Sequence, residues 1–167
     1  MLPLDYLKSI LEYKEGNLYW KEKISDKIKA GQKAGSKSGS YEIIKINKHN
    51  YYTHQLVFYY HNGFIPETID HIDHNKRNNK IENLRAATYS QNLQNTRKFS
   101  NASSKFKGVC YDKKRNKWVA RIKLIDKRIH LGYFENEVEA AKAYDAAAIL
   151  NFGEFAQTNR SKYNENS

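Results

Sequence analysis

Apolar residues recur along this chain with two different periods, and the changes of period mark its elements. Leu4, Leu7, Ile10 and Leu11 share one helical face and Pro3 suits a first turn, so Pro3 to Tyr13 predicts a short amphipathic helix. Asn17 to Trp20 predicts a short strand, and the Gly- and Ser-rich stretch from Ala30 to Ser40 a flexible loop. Tyr41 to Ile46 and Tyr51 to His54 form a hairpin around Asn47 to Asn50. Gln55 to His61 is apolar and aromatic and is closed by Asn62-Gly63, the pattern of a buried helix with a glycine stop. Ile69 to Ile72 and Leu84 to Ala87 are short strands around a polar loop. Thr88 and Gln91 then have capping-box spacing, which starts a helix running to about Arg97.

Lys98 to Lys105 is polar, serine-rich and without periodicity, and reads as a linker. Beyond it, Phe106 to Tyr111, Trp118 to Leu124 and Arg128 to Tyr133 are strands joined by tight polar turns. Asn136 and Glu139 cap a helix to about Asn151, and Gly153 stops it. Its Ala140, Ala141, Ala143, Tyr144, Ala147 and Ala148 let it lie close against a sheet. The expected class is α+β: residues 1–97 form a first domain with its core at 51–97, and 98–105 the linker. Residues 106–159 form a three-stranded antiparallel sheet packed on one helix, and 160–167 a tail.

Charge sharpens this division. The chain of 167 residues carries a formal +11, which favours polyanionic partners. Ten Lys and Arg residues fall between Lys105 and His130, against Asp112 and Asp126, while acids outnumber bases beyond Leu131. By alternation Arg121 and Lys123 point away from Trp118, Ala120, Ile122 and Leu124. Arg128 and His130 likewise oppose Ile129, Leu131 and Tyr133, so one face is basic and one apolar. Such a face can enter the major groove of double-stranded DNA. Cys110 is the only cysteine, which excludes an internal disulfide and a structural zinc built on cysteine pairs. With no apolar run of membrane-spanning length, a cytoplasmic, DNA-associated monomer is expected.

The chemistry concentrates between Asp70 and Asn95. Phosphodiester hydrolysis needs a deprotonated water near phosphorus and positive charge against the developing oxyanions. His71 is the natural base, because imidazole titrates near neutrality. Asp70 and Asn92 offer hard oxygen ligands suited to Mg²⁺ or Mn²⁺. As strand neighbours, Asp70 and His71 project to opposite faces. Asn83 closes the loop, where its amide can orient His71. Asp73 and His74 sit in the turn and read as structural. His54 opens a helix as a cap or supporting group, and Asn95 shares a face with Asn92. Lys76, Arg77, Lys80 and Arg85 are expected to contact phosphate.

The segment DHIDHNKRNNKIENLRAATYSQNLQN resembles the ββα-metal motif of phage and bacterial HNH homing endonucleases, in the subgroup whose last motif histidine is asparagine. The preceding YYTHQLVFYYHNGFIPE is similar to the usual lead-in. The resemblance implies His71 as general base, Asp70 and Asn92 as metal ligands, and Asn83 as the residue that holds hairpin and histidine. A second stretch, FKGVCYDKKRNKWVARI and onward through RIHLGYFENEVEAAKAYDAAAILNFGEFAQTN, resembles the DNA-binding domain of plant ethylene-response factors of APETALA type. It implies DNA-facing roles for Lys107, Arg121, Lys123, Arg128 and His130, with Arg115 counted beside them. Cys110, Arg121 and His130 stand where the plant proteins usually have arginine, glutamate and tryptophan, so the target sequence does not transfer. The expectation is a metal-dependent endonuclease with a C-terminal targeting sheet. The alternative is a DNA-binding regulator with an inactive core.

Overall fold

The computed structural model describes residues 2–94 and 103–163, apart from the side chains of 93 and 94. The chain forms two compact units, Met1–Thr88 and Tyr89–Ser167.

In the first unit α1 (Leu4–Ile10) gives way to β1 (Leu11–Lys14), which pairs with β2 (Asn17–Trp20) across a turn at Glu15-Gly16. The predicted helix therefore ends three residues early: Leu11 pairs with Trp20, and cross-strand bonding outcompetes another helical turn. The expected loop at Ala30 to Ser40 is also corrected. Ala34 is buried and donates its N–H to the Leu18 carbonyl at 2.7 Å, and Ser36–Ser38 forms β3. β3 pairs with β4 (Tyr41–Ile46), and β4 with β5 (His49–Tyr52). Asn47 and Lys48 both take positive φ in that hairpin turn, the twist that suits a two-residue connection.

α2 (Thr53–Asn62) follows at once and ends on Gly63 in the left-handed conformation, where the glycine stop was expected. Leu7, Leu11, Leu18, Ile44, Leu56 and Val57 form the centre of one core with Trp20 and Leu84. Each such side chain contributes about 1.5–3 kcal/mol on burial. β6 (Thr68–His71) and β7 (Leu84–Ala87) then make a two-stranded hairpin whose loop closes through a 3₁₀ turn at Ile81–Asn83.

The second unit begins with α3 (Tyr89–Gln94), which lies against the 3₁₀ turn Gly153–Phe155. The expected extension of α3 to Arg97, with Asn95 and most of the linker, falls outside the described residues. β8 (Val109–Asp112), β9 (Lys117–Lys123) and β10 (Arg128–Phe134) form an antiparallel sheet in the order β10-β9-β8. α4 (Glu137–Phe152) packs across it, capped by Asn136, whose Oδ1 accepts from the Val138 N–H at 2.7 Å. Ala140, Ala141, Tyr144 and Ala148 are the buried apolar side chains of α4. The first strand starts later than predicted because Gly108 takes a positive φ of 77°, and any Cβ there would overlap the Tyr144 ring. Glycine is what lets sheet and helix approach so closely. The expected α+β class, with a three-stranded antiparallel sheet on one helix, is what the structure has.

Candidate active site and nucleic-acid interface

Hairpin register decides what surrounds Asp70 and His71. Asp70 pairs with Arg85 across the β6–β7 ladder. Its carboxylate is buried, and Oδ2 accepts from Arg85 Nε at 2.8 Å and lies 2.7 Å from its NH2 nitrogen. Arg85 was expected as a phosphate contact. Its guanidinium is instead committed to Asp70, because the register sets the two directly opposite and charge-assisted bonds are strong.

His71 points to the other side of β6, as alternation requires. Its Nε2 lies 3.1 Å from Asn79 Oδ1, and its ring stands edge-on to His54 with centroids 5.2 Å apart. Tyr41 and Tyr52 complete an aromatic group around His54. Burial lowers the His71 pKa below the usual imidazole value, against the opposing influence of the Asn79 bond and the Asp73 and Asp70 carboxylates. A lowered pKa favours the neutral ring, the form that carries a nitrogen lone pair.

Asn83 does not reach His71. Its Nδ2 donates to Asp73 Oδ1 at 2.9 Å and to the Asn78 carbonyl at 2.7 Å, and its Oδ1 accepts from the Asp73 N–H at 3.0 Å. It fixes the loop; Asn79 touches the histidine, and sequence reasoning missed Asn79. Asp73 has the structural role expected, accepting from the Asn75 N–H and from Asn78 Nδ2. Lys76 lies over the Tyr41 ring and Arg77 donates to the Gly39 carbonyl, both exposed. Lys80 pairs with Glu15 at 2.9 Å. The first unit thus gathers Asp70, His71 and Asn83, while Asn92 stands on α3 in the second unit.

His54 is buried and its pKa is lowered to about 4, chiefly by burial and then by repulsion from His71. Between pH 6.5 and 4 the unfolded chain binds a proton there that the native one refuses, so native stability drops as the pH falls through that window. The total loss is about 3 kcal/mol, at roughly 1.4 kcal/mol per pH unit of separation. Denaturant melts at pH 7 and 4.5 should show this loss in the first unit, and His54→Phe should reduce it. Equal losses in the two proteins would contradict the assignment.

On the sheet of the second unit, Arg128 pairs with Lys123 and His130 with Arg121, so the four basic residues share one exposed face, as expected. The register slips between His130 and Gly132, and this bulge brings Tyr133 opposite Val119. Tyr133, expected on the apolar face, therefore joins the basic one: its ring lies 4.6 Å from His130, with the Arg115 guanidinium 4.9 Å from its centroid. Arg115 also pairs with Asp112. Lys107 departs from expectation too. It precedes β8, and its ammonium is half-buried beside Gln157 Oε1 at 3.4 Å, with its pKa lowered to about 8 by burial. That placement withdraws it from the exposed basic face.

The described chain thus has a two-stranded hairpin bearing a buried Asp-His pair and, separately, a three-stranded sheet on an alanine-rich helix. Comparison makes both parts specific. Residues 51–94 match the HNH endonuclease family and residues 104–154 the AP2 domain. The chain is 36% identical over 123 residues to the uncharacterized HNH endonuclease L560 of Acanthamoeba polyphaga mimivirus, covering 72% of this chain and 61% of that protein. It is 51% identical over 63 residues to the rice APETALA2-like protein 2, covering 36% of this chain and 14% of the relative. It is 33% identical over 100 residues to the Arabidopsis thaliana ethylene-responsive transcription factor WRI1, covering 56% and 23%. The chain therefore spans less than two thirds of each of these relatives. The two matched segments are thus an HNH-type domain followed by an AP2-type domain. Among the described residues no helix is long and apolar enough to cross a membrane.

Proposed function

We propose that the chain is a homing-type, divalent-metal-dependent DNA endonuclease that acts as a monomer and nicks one strand at a time. His71 serves as general base and Asp70 as a ligand of Mg²⁺ or Mn²⁺. The observation that carries the reading is the Asp-His pair on β6, inside the segment that matches the HNH family: a carboxylate on one side and a neutral imidazole on the other.

The donor chemistry fits a hard cation. Among the described residues no three His, Cys, Asp or Glu side chains cluster as a closed cage would require. Magnesium usually keeps several waters and takes one or two protein oxygens together with substrate phosphate. Bound at Asp70, it would supply positive charge against the phosphate oxygens and the leaving oxygen. The part of Asn92 as its second ligand rests on the sequence pattern alone. Arg85 holds the Asp70 carboxylate in place. His71 accepts the proton of the attacking water as the P–O bond to the leaving strand breaks.

Arg121, Lys123, Arg128 and His130, with Arg115 and Tyr133 beside them, hold the duplex, and Lys76 and Arg77 contact phosphate near the core. Arg121→Ala and Lys123→Ala should each weaken duplex binding and lower the slope of log affinity against log salt by about 0.9. Binding titrations at several salt concentrations check this; an unchanged slope would show that the basic face is not the grip. Relaxation of supercoiled plasmid by the purified chain, with and without Mg²⁺, tests the enzymatic reading as a whole.

A further inference from the structure

Besides Asn83, the loop between β6 and β7 holds Asn75, Asn78 and Asn79, and the last of these is unlike the other two. Asn75 is exposed and Asn78 half-buried, and each makes hydrogen bonds within the loop. Asn79 is 2% exposed, and its Oδ1 meets His71 Nε2 at 3.1 Å. Its Nδ2 is buried with no partner among the described residues. Burying an amide with half its capacity unmet is costly, and such a group is a signal of a role other than stability.

The surrounding structure fixes Asn79 from both sides. Before it, Asn83 Nδ2 binds the Asn78 carbonyl at 2.7 Å. After it, the β1–β2 turn presses on the backbone: a Cβ on Gly16 would stand 2.7 Å from the Lys80 nitrogen and 3.1 Å from the Asn79 carbonyl carbon. Tyr13 Oη accepts from the Ile81 N–H at 3.1 Å, and Lys80 pairs with Glu15. The peptide that carries Asn79 is thus clamped between the N-terminal hairpin and the loop that Asn83 organises.

An amide oxygen carries no proton, so in this bond His71 Nε2 must donate. The neutral ring is then protonated at Nε2, and its lone pair is at Nδ1. We propose that Asn79 is the positioning residue of the HNH site: it holds His71 as the Nε2–H tautomer and so makes Nδ1 the atom that takes the proton from water. Asn83 acts one step further out, through the loop, on Asn79. This inference rests on His71 being the base.

The test is long-range ¹H–¹⁵N NMR of the full chain with labelled histidine at pH 8, beside plasmid nicking and duplex binding. Wild type should show His71 protonated at Nε2. Asn79→Leu should give a mixture of tautomers and nick about ten- to a hundredfold more slowly, the range for losing a group that orients a functional imidazole, with duplex affinity unchanged. Asn79→Asp, which keeps an acceptor oxygen in place, should retain the Nε2 proton and most of the rate. A wild-type ring protonated at Nδ1, as a reversed Asn79 amide would impose, overturns the proposal, and so does Asn79→Leu with unchanged tautomer and rate. If Asn79→Leu fails to fold, the wild-type spectrum and Asn79→Asp still decide. His71→Ala separates the two readings: full nicking by that variant removes the base and with it the Nδ1 role, while the spectrum alone decides the hydrogen bond.

Discussion

Replacing His71 with alanine should lower plasmid nicking by about two to four orders of magnitude, the usual contribution of a positioned general base. The size of the effect follows from where the ring sits. His71 is held between Asn79 and the edge of His54, and burial lowers its pKa, which favours the neutral ring. Few other groups in the first unit can take over the proton. His54 is buried behind it, Asp73 is saturated by bonds from Asn75, Asn78 and Asn83, and Asp70 is tied to Arg85. Duplex binding should survive, because the exposed basic face is built on β9 and β10. Nicking by His71→Ala at the wild-type rate would leave the base unassigned.

Asp145→Ala should strongly destabilise the second unit. Asp145 is 4% exposed on α4 and accepts from the Asn159 N–H at 2.8 and 3.0 Å, from Asn159 Nδ2 at 2.9 Å and from the Tyr163 hydroxyl. Asn159 in turn accepts from the Lys107 N–H at 2.7 Å and donates to its carbonyl at 3.1 Å. One carboxylate therefore ties the segment after α4 to the approach of β8. Each buried donor left unpaired costs about 1–3 kcal/mol, so a loss of at least about 3 kcal/mol is expected. That is a large fraction of the roughly 5–15 kcal/mol by which domains are stable. The two tryptophans separate the units: with Trp20→Phe as background, Trp118 fluorescence in denaturant reports on the sheet. The midpoint should fall sharply and duplex binding with it; an unmoved midpoint would refute the role given to Asp145.

The parts of the fold that were legible are those whose signals are local. α4 carries its own cap at Asn136 and stop at Gly153, and β6 and β7 are marked by apolar runs around a polar loop, so those elements fall where the pattern puts them. Elements set by distant partners were not. Ala34 and β3 are ordered by bonds to Leu18 and pairing with β4, which nothing within Ala30 to Ser40 announces. Tyr133 changed faces because one bulge reverses every assignment beyond it, and alternation carries no mark of a bulge.

The candidate site divides in the same way. Asp70 and His71 were recognisable from residue type and spacing. Asn79 was not, since in sequence it is one asparagine among several, and only burial under the Gly16 turn distinguishes it. The first fifty residues, to which the sequence assigned no role, supply much of the core of the first unit and clamp the loop beside the histidine. Arg85 shows the reverse error: an arginine in a polar stretch reads as a phosphate contact until register sets it across from a carboxylate.

The proposed chemistry is hydrolysis of DNA at the Asp70–His71 pair with a divalent cation. Incubation of supercoiled plasmid with the purified full chain in Mg²⁺, and in parallel with excess chelator, tests it most directly. Nicked circles are expected in Mg²⁺ and intact supercoils in chelator, with nicking restored when Mg²⁺ is returned. Circles nicked at the same rate in chelator, or supercoils left intact by Mg²⁺ and by Mn²⁺ while the duplex is bound, would contradict it.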